Sequence, residues 1–231
     1  MLLDALYPRR CPVCGDIVMP RGMLICPPCE RRLSFVKPPL CMKCGKEIVS
    51  GETEYCPDCT RHRRSFSYGV SLLNYTEEAA GSMAAVKYKN KREYLDYFAG
   101  AAAERCGREI LRMGADCIVP VPIHSSRRKM RGFNQAELLA EKLGDKLGIP
   151  VCPEFLRRIK NTEPQKELGP SERLPNLEKA FEADAGCRGM NILLADDIYT
   201  TGSTIEACSR ALKKAGAKNV YFFTVCIGQG R

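Results

Sequence analysis

The sequence predicts an α/β protein, a mostly parallel sheet with flanking helices, preceded by a small cysteine-rich module. Three observations carry this expectation. Short apolar runs alternate with segments whose apolar residues recur at helical spacing, as in chains that wind a parallel sheet. The first 60 residues hold eight cysteines in four Cys-x-x-Cys pairs. The stretch Asn191–Cys208, NILLADDIYTTGSTIEAC, runs from an apolar segment through two acids into a hydroxyl- and glycine-rich turn, and then into helical spacing.

The cysteines form an internal repeat. Cys11, Cys14, Cys26 and Cys29 have the spacing C-x2-C-x11-C-x2-C, and Cys41, Cys44, Cys56 and Cys59 repeat it 30 residues on. Glycine follows the first pair of each half, at Gly15 and Gly45, where it permits the tight turn that aims backbone N–H groups at thiolates. Each half supplies the four sulfurs of a tetrahedral zinc site with no open position, so two structural zinc ions are expected. The alternative is one zinc held by interleaved pairs. Segments this small bury too little apolar surface to fold alone, so metal would supply much of their folding energy. Arg61–Arg64, RHRR, reads as a linker or basic edge, with His62 solvated. The expected division is residues 1–64 and 65–231.

Phe66, Tyr68, Val70 and Leu72 alternate and predict a strand. Thr76 with Glu77 and Glu78 marks a helix start, and helical sequence runs to about Met113 with a break near Asn90. Lys87, Tyr88, Lys89, Lys91 and Arg92 cluster near that break, either as a solvated helix end or as a binding surface. Asp116–Pro122 predicts a short strand stopped by proline. It leads into a basic loop with His124, Arg127, Arg128, Lys129 and Arg131. Asn134 is a good N-cap, with Glu137 at N3. Leu139, Leu143 and Leu147 line one helix face, ended by Gly148 and Pro150. Residues 151–160 predict another short strand. Residues 161–176 are polar and broken by proline and glycine, as in a functional or mobile loop. Phe181 starts a short edge-like piece. Ile192 opens the central strand, Ser203–Lys214 the helix after it, and Val220–Ile227 is the last buried strand.

The acids Asp196 and Asp197 and the turn Thr200-Thr201-Gly202-Ser203-Thr204 sit where a strand gives way to a helix. Backbone N–H groups and hydroxyls converging ahead of a helix suit a phosphate. The carboxylates suit sugar hydroxyls or magnesium, so the residues imply a ligand carrying both a ribose and a phosphate. In open α/β sheets ligands bind at the carboxyl ends of strands, where the basic loop also lies.

The formal charge is +9. Eight thiolates and two dications would change it by −4, to roughly +5, which fits an anionic ligand or nucleic acid. The longest near-apolar run is far too short to cross a bilayer. The N-terminal MLLDALYPRRC lacks the charged lead and hydrophobic region of a secretory signal. Paired cysteines without a secretory context point to metal and a cytoplasmic setting.

ILLADDIYTTGST resembles the 5-phosphoribosyl-1-pyrophosphate (PRPP) loop of type I phosphoribosyltransferases. With the cysteine repeat, the Lys-Tyr pair near residue 88, VPVP, RGFNQA, and Gln165, Arg173 and Asn176, the chain resembles the ComF family over essentially its whole length. The resemblance implies a type I phosphoribosyltransferase-like fold and an association with DNA uptake and natural transformation. It implies that Asp196 and Asp197 hold the ribose hydroxyls, in part through Mg²⁺, with Asp197 a candidate base by family analogy alone. It implies that Thr200, Thr201, Gly202, Ser203 and Thr204 cradle the 5′-phosphate, that Arg127, Arg128 and Arg131 offset the pyrophosphate charge, and that residues 161–176 cover the site. Residues 66–113 would include the hood that selects the acceptor, and nothing there names one. Two readings follow: a Mg²⁺-dependent phosphoribosyl transferase, or a ligand-sensing module that binds single-stranded DNA or a helicase. Phe133 and Tyr199, each beside a predicted loop, are the aromatics expected to be available for stacking.

Overall fold

The computed structural model describes residues 8–160 and 179–228. Each cysteine repeat folds into two knuckles, the second opening a short helix, α1 (Pro27–Glu30) and α2 (Pro57–Arg61). Both helices start on proline, whose missing N–H is no loss at that position. Cys11, Cys14, Cys26 and Cys29 gather at one point and Cys41, Cys44, Cys56 and Cys59 at another, with the sulfurs of each set within 4.8 Å of one another. Zinc–sulfur bonds of about 2.3 Å put tetrahedral sulfurs about 3.8 Å apart. The Cys44 and Cys56 sulfurs are 3.6 Å apart. Each set therefore fits its own zinc, and the pairs are not interleaved. His62 is exposed and outside both clusters, as expected.

The remaining elements are β1 (Gly69–Asn74), α3 (Glu77–Tyr88), α4 (Tyr94–Arg112), β2 (Cys117–Pro120), α5 (Ser125–Arg131), α6 (Gln135–Leu147), β3 (Leu156–Arg158), β4 (Phe181–Ala183), β5 (Asn191–Tyr199), α7 (Ser203–Ala215) and β6 (Asn219–Ile227). The main sheet has the order β1-β6-β5-β2 and is parallel throughout, so its carboxyl ends share one edge. β3 and β4 form a separate antiparallel pair. Two apolar layers sandwich the sheet. One holds Leu95, Phe98, Leu139, Leu143, Leu193 and Phe223 from the α3, α4 and α6 side. The other holds Phe66, Leu194, Ile205, Leu212 and Phe222 from the α7 side.

The first ribbon docks on α3 and α4. Ser82 Oγ donates to the Pro12 carbonyl at 2.6 Å, the Tyr97 hydroxyl donates to Glu30 at 3.0 Å, and Arg9 pairs with Asp96 at 2.7 Å. The chain between the ribbons adds a bridge at Phe35 to the edge strand β1. Among the described residues no helix is long and apolar enough to cross a membrane.

Several expectations are corrected. The strand expected from the alternation of Phe66, Tyr68, Val70 and Leu72 is present, but it starts later. β1 begins at Gly69 and is buried at nearly every position, because helices or ribbon cover both faces. Phe66 precedes it and packs edge-on against Phe222, with centroids 5.0 Å apart. The segment 151–160 is not one strand. It makes a single bridge at Val151, then a 3₁₀ turn, Pro153–Phe155, then β3. The basic loop is a helix, α5, which is capped by the His124 side chain and closed by Gly132 at φ 77°. Residues 161–176, with Gln165, Arg173 and Asn176, lie outside the described residues.

Candidate ligand site at the carboxyl edge of the sheet

β5 does not stop at its acids. It stays paired with β6 as far as Tyr199 opposite Ile227, so Asp196 and Asp197 lie inside the strand rather than at a tip. Both are buried, at 9% and 4% exposure. Burial, then the neighbouring Asp197 charge, hold the Asp196 carboxyl well above the usual carboxylate range, against the pull of Lys87. Asp196 Oδ1 accepts the Asp197 backbone N–H at 2.9 Å.

Asp197 gathers partners from two other elements. The Lys87 ammonium, from the last turn of α3, forms an ion pair with Oδ2. Burial works to lower the Lys87 ammonium's pKa, but the Asp197 charge and hydrogen bond, with Asp196 behind them, leave it raised. Gln135 Nε2 donates to Asp197 Oδ1 at 3.3 Å. Gln135 Oε1 in turn accepts from Arg131 Nη1 at 2.9 Å, and the Arg131 guanidinium lies 5.1 Å over the Tyr88 ring. Lys87 and Tyr88 on α3 thus close round the same group of side chains from the side opposite α5 and α6.

The basic helix is brought here by local bonds. Asn134 caps α6 with its side-chain oxygen, as expected, while its Nδ2 donates to the Val121 carbonyl at 3.1 Å. That ties the end of the 122–134 excursion to its beginning, beside Ala195 of β5. Arg128 pairs with Glu137 at 3.0 Å, so Glu137 is engaged outward rather than in a capping box. Arg127 is half-buried, and its charge, after burial, lowers the Arg158 pKa.

Beyond Tyr199 the chain turns sharply into α7. Gly202 adopts φ 74°, and a Cβ there would run into the Tyr199 ring. Thr201 Oγ1 and Ser203 Oγ lie 2.9 Å apart, and the Thr201 hydroxyl also receives the Ser203 N–H. Thr200 and Thr201 are exposed, while Ser203 and Thr204 are half-exposed at the first turn of the helix. All five turn residues follow the carboxyl end of β5, the strand that carries the acid pair. Backbone N–H groups at the start of a 13-residue helix and hydroxyls around them are what a phosphate needs. Hard carboxylate oxygens on two adjacent buried residues suit a magnesium ion.

Tyr199 and Phe133 are not available for stacking. Tyr199 is 2% exposed and lies parallel to Phe222 at 4.9 Å, and Phe133 is 6% exposed under the Arg92 guanidinium. The residues that local reasoning missed are Lys87 and Gln135. Gln135 stood in the motif RGFNQA without an assigned role, and Lys87 was one member of a basic cluster.

Residues 2–60 match the model of the double zinc ribbon domain, and residues 129–231 match the phosphoribosyl transferase domain. A purine phosphoribosyltransferase structure from Pyrococcus horikoshii superposes with a TM-score of 0.37 at 15% identity, covering 57% of this chain and 83% of that one. Competence protein F of Haemophilus influenzae is 29% identical over 221 residues, 91% of this chain and 93% of its own length. DNA utilization protein YhgH of Escherichia coli is 27% identical over 209 residues, 87% of this chain and 89% of that one. Competence protein ComFC of Bacillus subtilis is 30% identical over 209 residues, 87% of this chain and 83% of that one. With two tetracysteine clusters ahead of a parallel sheet that carries this site, the chain belongs to the ComF/ComFC family, a double zinc ribbon joined to a phosphoribosyltransferase domain.

Proposed function

We propose that the chain binds PRPP, or a close phosphoribosyl ligand, with Mg²⁺ at the carboxyl ends of β2 and β5, and transfers the phosphoribosyl group to an acceptor. The observation that carries the reading is the junction of a buried carboxylate pair, Asp196 and Asp197, with a left-handed Gly202 and four hydroxyl residues at the start of α7. Thr200, Thr201, Gly202, Ser203 and Thr204 would take the 5′-phosphate, and Asp196 and Asp197 the ribose hydroxyls and the metal. Magnesium, when bound, offsets charge on the pyrophosphate and holds it in place. Arg127 and Arg131 supply positive charge on the side where pyrophosphate would leave, with Arg128 available once its exposed pair with Glu137 opens. Catalysis of this kind rests on placement and charge rather than on a protein nucleophile. We assign the ribbons to residues 1–64 and the ligand-binding unit to 65–231.

The relatives' names, competence protein and DNA utilization protein, extend to this chain the proposal that it serves DNA uptake. A second reading makes it a ligand sensor that binds single-stranded DNA or a helicase. It is favoured by Tyr88, 70% exposed beside Arg131 and the exposed Lys89 and Arg92. Pyrophosphate release in the presence of PRPP, Mg²⁺ and a panel of bases supports transfer. Ligand binding without release for any acceptor, together with single-strand affinity that falls steeply with salt, supports the sensor.

A further inference from the structure

The two ribbons are sequence repeats, but they are not equivalent in the fold. The first docks on helices α3 and α4, far along the chain from the phosphate turn. The second is built into the floor of that turn. Its knuckle meets the sheet at Gly45, where a Cβ would stand 2.6 Å from the Gly69 carbonyl oxygen, and Gly69 N donates to the Lys43 carbonyl at 3.0 Å. A Cβ on Gly69 would strike Phe222 in turn, and Phe222 stacks on Tyr199, whose ring is the surface against which Gly202 is pressed.

Charge joins the same parts. Lys46, 2% exposed, pairs with Asp58 at 2.7 Å, tying the Cys41–Cys44 knuckle to the Cys56–Cys59 knuckle, and its ammonium lies 5.9 Å over the Tyr199 ring. Just past α2, Arg64 Nη2 donates to the Thr201 carbonyl at 2.9 Å. The Ser65 N–H and hydroxyl both donate at 2.8 Å to Glu206, a fully buried residue in the first turns of α7 that also accepts from Arg210 at 2.7 Å. Charge-assisted bonds of this kind are among the stronger ones a protein makes.

The internal repeat serves as a control. Shifted by 30 residues, the position of Lys46 is occupied in the first ribbon by Asp16, and that of Asp58 by Pro28. Asp16 is exposed, and a Cβ on Gly15 would meet nothing within 4 Å. The residues that reach the phosphate turn are those in which the second repeat departs from the first.

We propose that Lys46, Arg64 and Tyr199 are positioning residues for the phosphate turn, and that through them metal held by Cys41, Cys44, Cys56 and Cys59 is thermodynamically linked to ligand binding, whereas metal held by Cys11, Cys14, Cys26 and Cys29 is not. The inference rests on the phosphoribosyl reading above. Linkage is reciprocal, so ligand must retain metal in the second cluster as much as that metal sharpens ligand binding.

The test is zinc release from the full chain to a chromophoric chelator, with and without ribose 5-phosphate and Mg²⁺. Alkylation and mass spectrometry identify which four cysteines are freed. At equilibrium with the chelator, saturating ribose 5-phosphate is expected to raise the zinc affinity of the second cluster about tenfold and to leave the first unchanged. Arg64→Ala and Tyr199→Leu should abolish that protection, the latter because the Tyr199 ring and hydroxyl are what lie against Gly202. Calorimetry on the same samples separates the two ways of failing. If ribose 5-phosphate binds but protects both clusters equally, or neither, the linkage is wrong. If it does not bind the unmodified chain, the phosphoribosyl reading fails and the linkage with it.

Discussion

The Lys87 ammonium at the end of α3 is ion-paired with Asp197 near the end of β5, so a helix of the proposed hood is tied to the acid pair at the centre of the sheet. The two carboxylates are buried side by side, and the Asp196 carboxyl is held well above the usual range by burial and by Asp197, against the pull of Lys87. A divalent cation would offset the repulsion between them.

Asp196→Asn should therefore stabilise the ligand-free protein at neutral pH while removing ligand binding. A carboxyl whose folded pKa is raised contributes stability that is present in full below its unfolded value, near 3.8, and is lost as pH rises to and through the folded value. The amide removes this loss. Melting temperature followed from pH 4 to 8 should fall more steeply with rising pH in the unmodified protein than in the variant.

Lys87→Met should act in the opposite direction on stability. Removing one partner of a buried pair leaves Asp197 uncompensated next to Asp196, at a cost of roughly 3 kcal/mol near pH 7. The cost should shrink toward pH 5 as the acid pair takes up a proton. Urea denaturation at the two pH values checks the difference.

Gly202→Ala meets both a left-handed backbone and the Tyr199 ring. It should destabilise by about 1–2 kcal/mol from the backbone alone and weaken ribose 5-phosphate binding more than it weakens the fold. Gly15→Ala has a similar φ, 77° against 74°, but open space around it. It should show the backbone cost without the binding loss, by calorimetry on both variants.

Elemental analysis should give close to two zinc ions per chain. Prolonged treatment with a strong chelator should expose all eight ribbon cysteines to alkylation, since metal supplies the folding energy of segments this small. A value near one zinc would contradict the two separate clusters.

Much of this was legible in the sequence. A repeat with fixed cysteine spacing specifies its own metal geometry, and the apolar-acid-hydroxyl order of Asn191–Cys208 marks a strand, a turn and a helix without reference to anything distant. What was not legible depends on contacts between distant parts of the chain. Lys87 looked like its solvated neighbours Lys89 and Arg92, because nothing local says which cation of a helix end will face a carboxylate on a strand far along the chain. The basic segment 125–131 lacks an apolar stripe, so its helix was hidden, and only the His124 cap and Gly132 bound it. Tyr199 follows two acids and precedes a polar turn, which suggests exposure. It is buried because Phe222 and the second ribbon cover it.

The central claim is that Asp196 and Asp197 are ligand groups rather than structural ones. Calorimetric titration of PRPP with Mg²⁺ into the unmodified chain and into the Asp196→Asn, Asp197→Asn double variant tests it directly. The account predicts saturable binding by the former, none by the latter, and a double variant that remains folded with two zinc ions. Equal binding by both, or a double variant that unfolds, would contradict it.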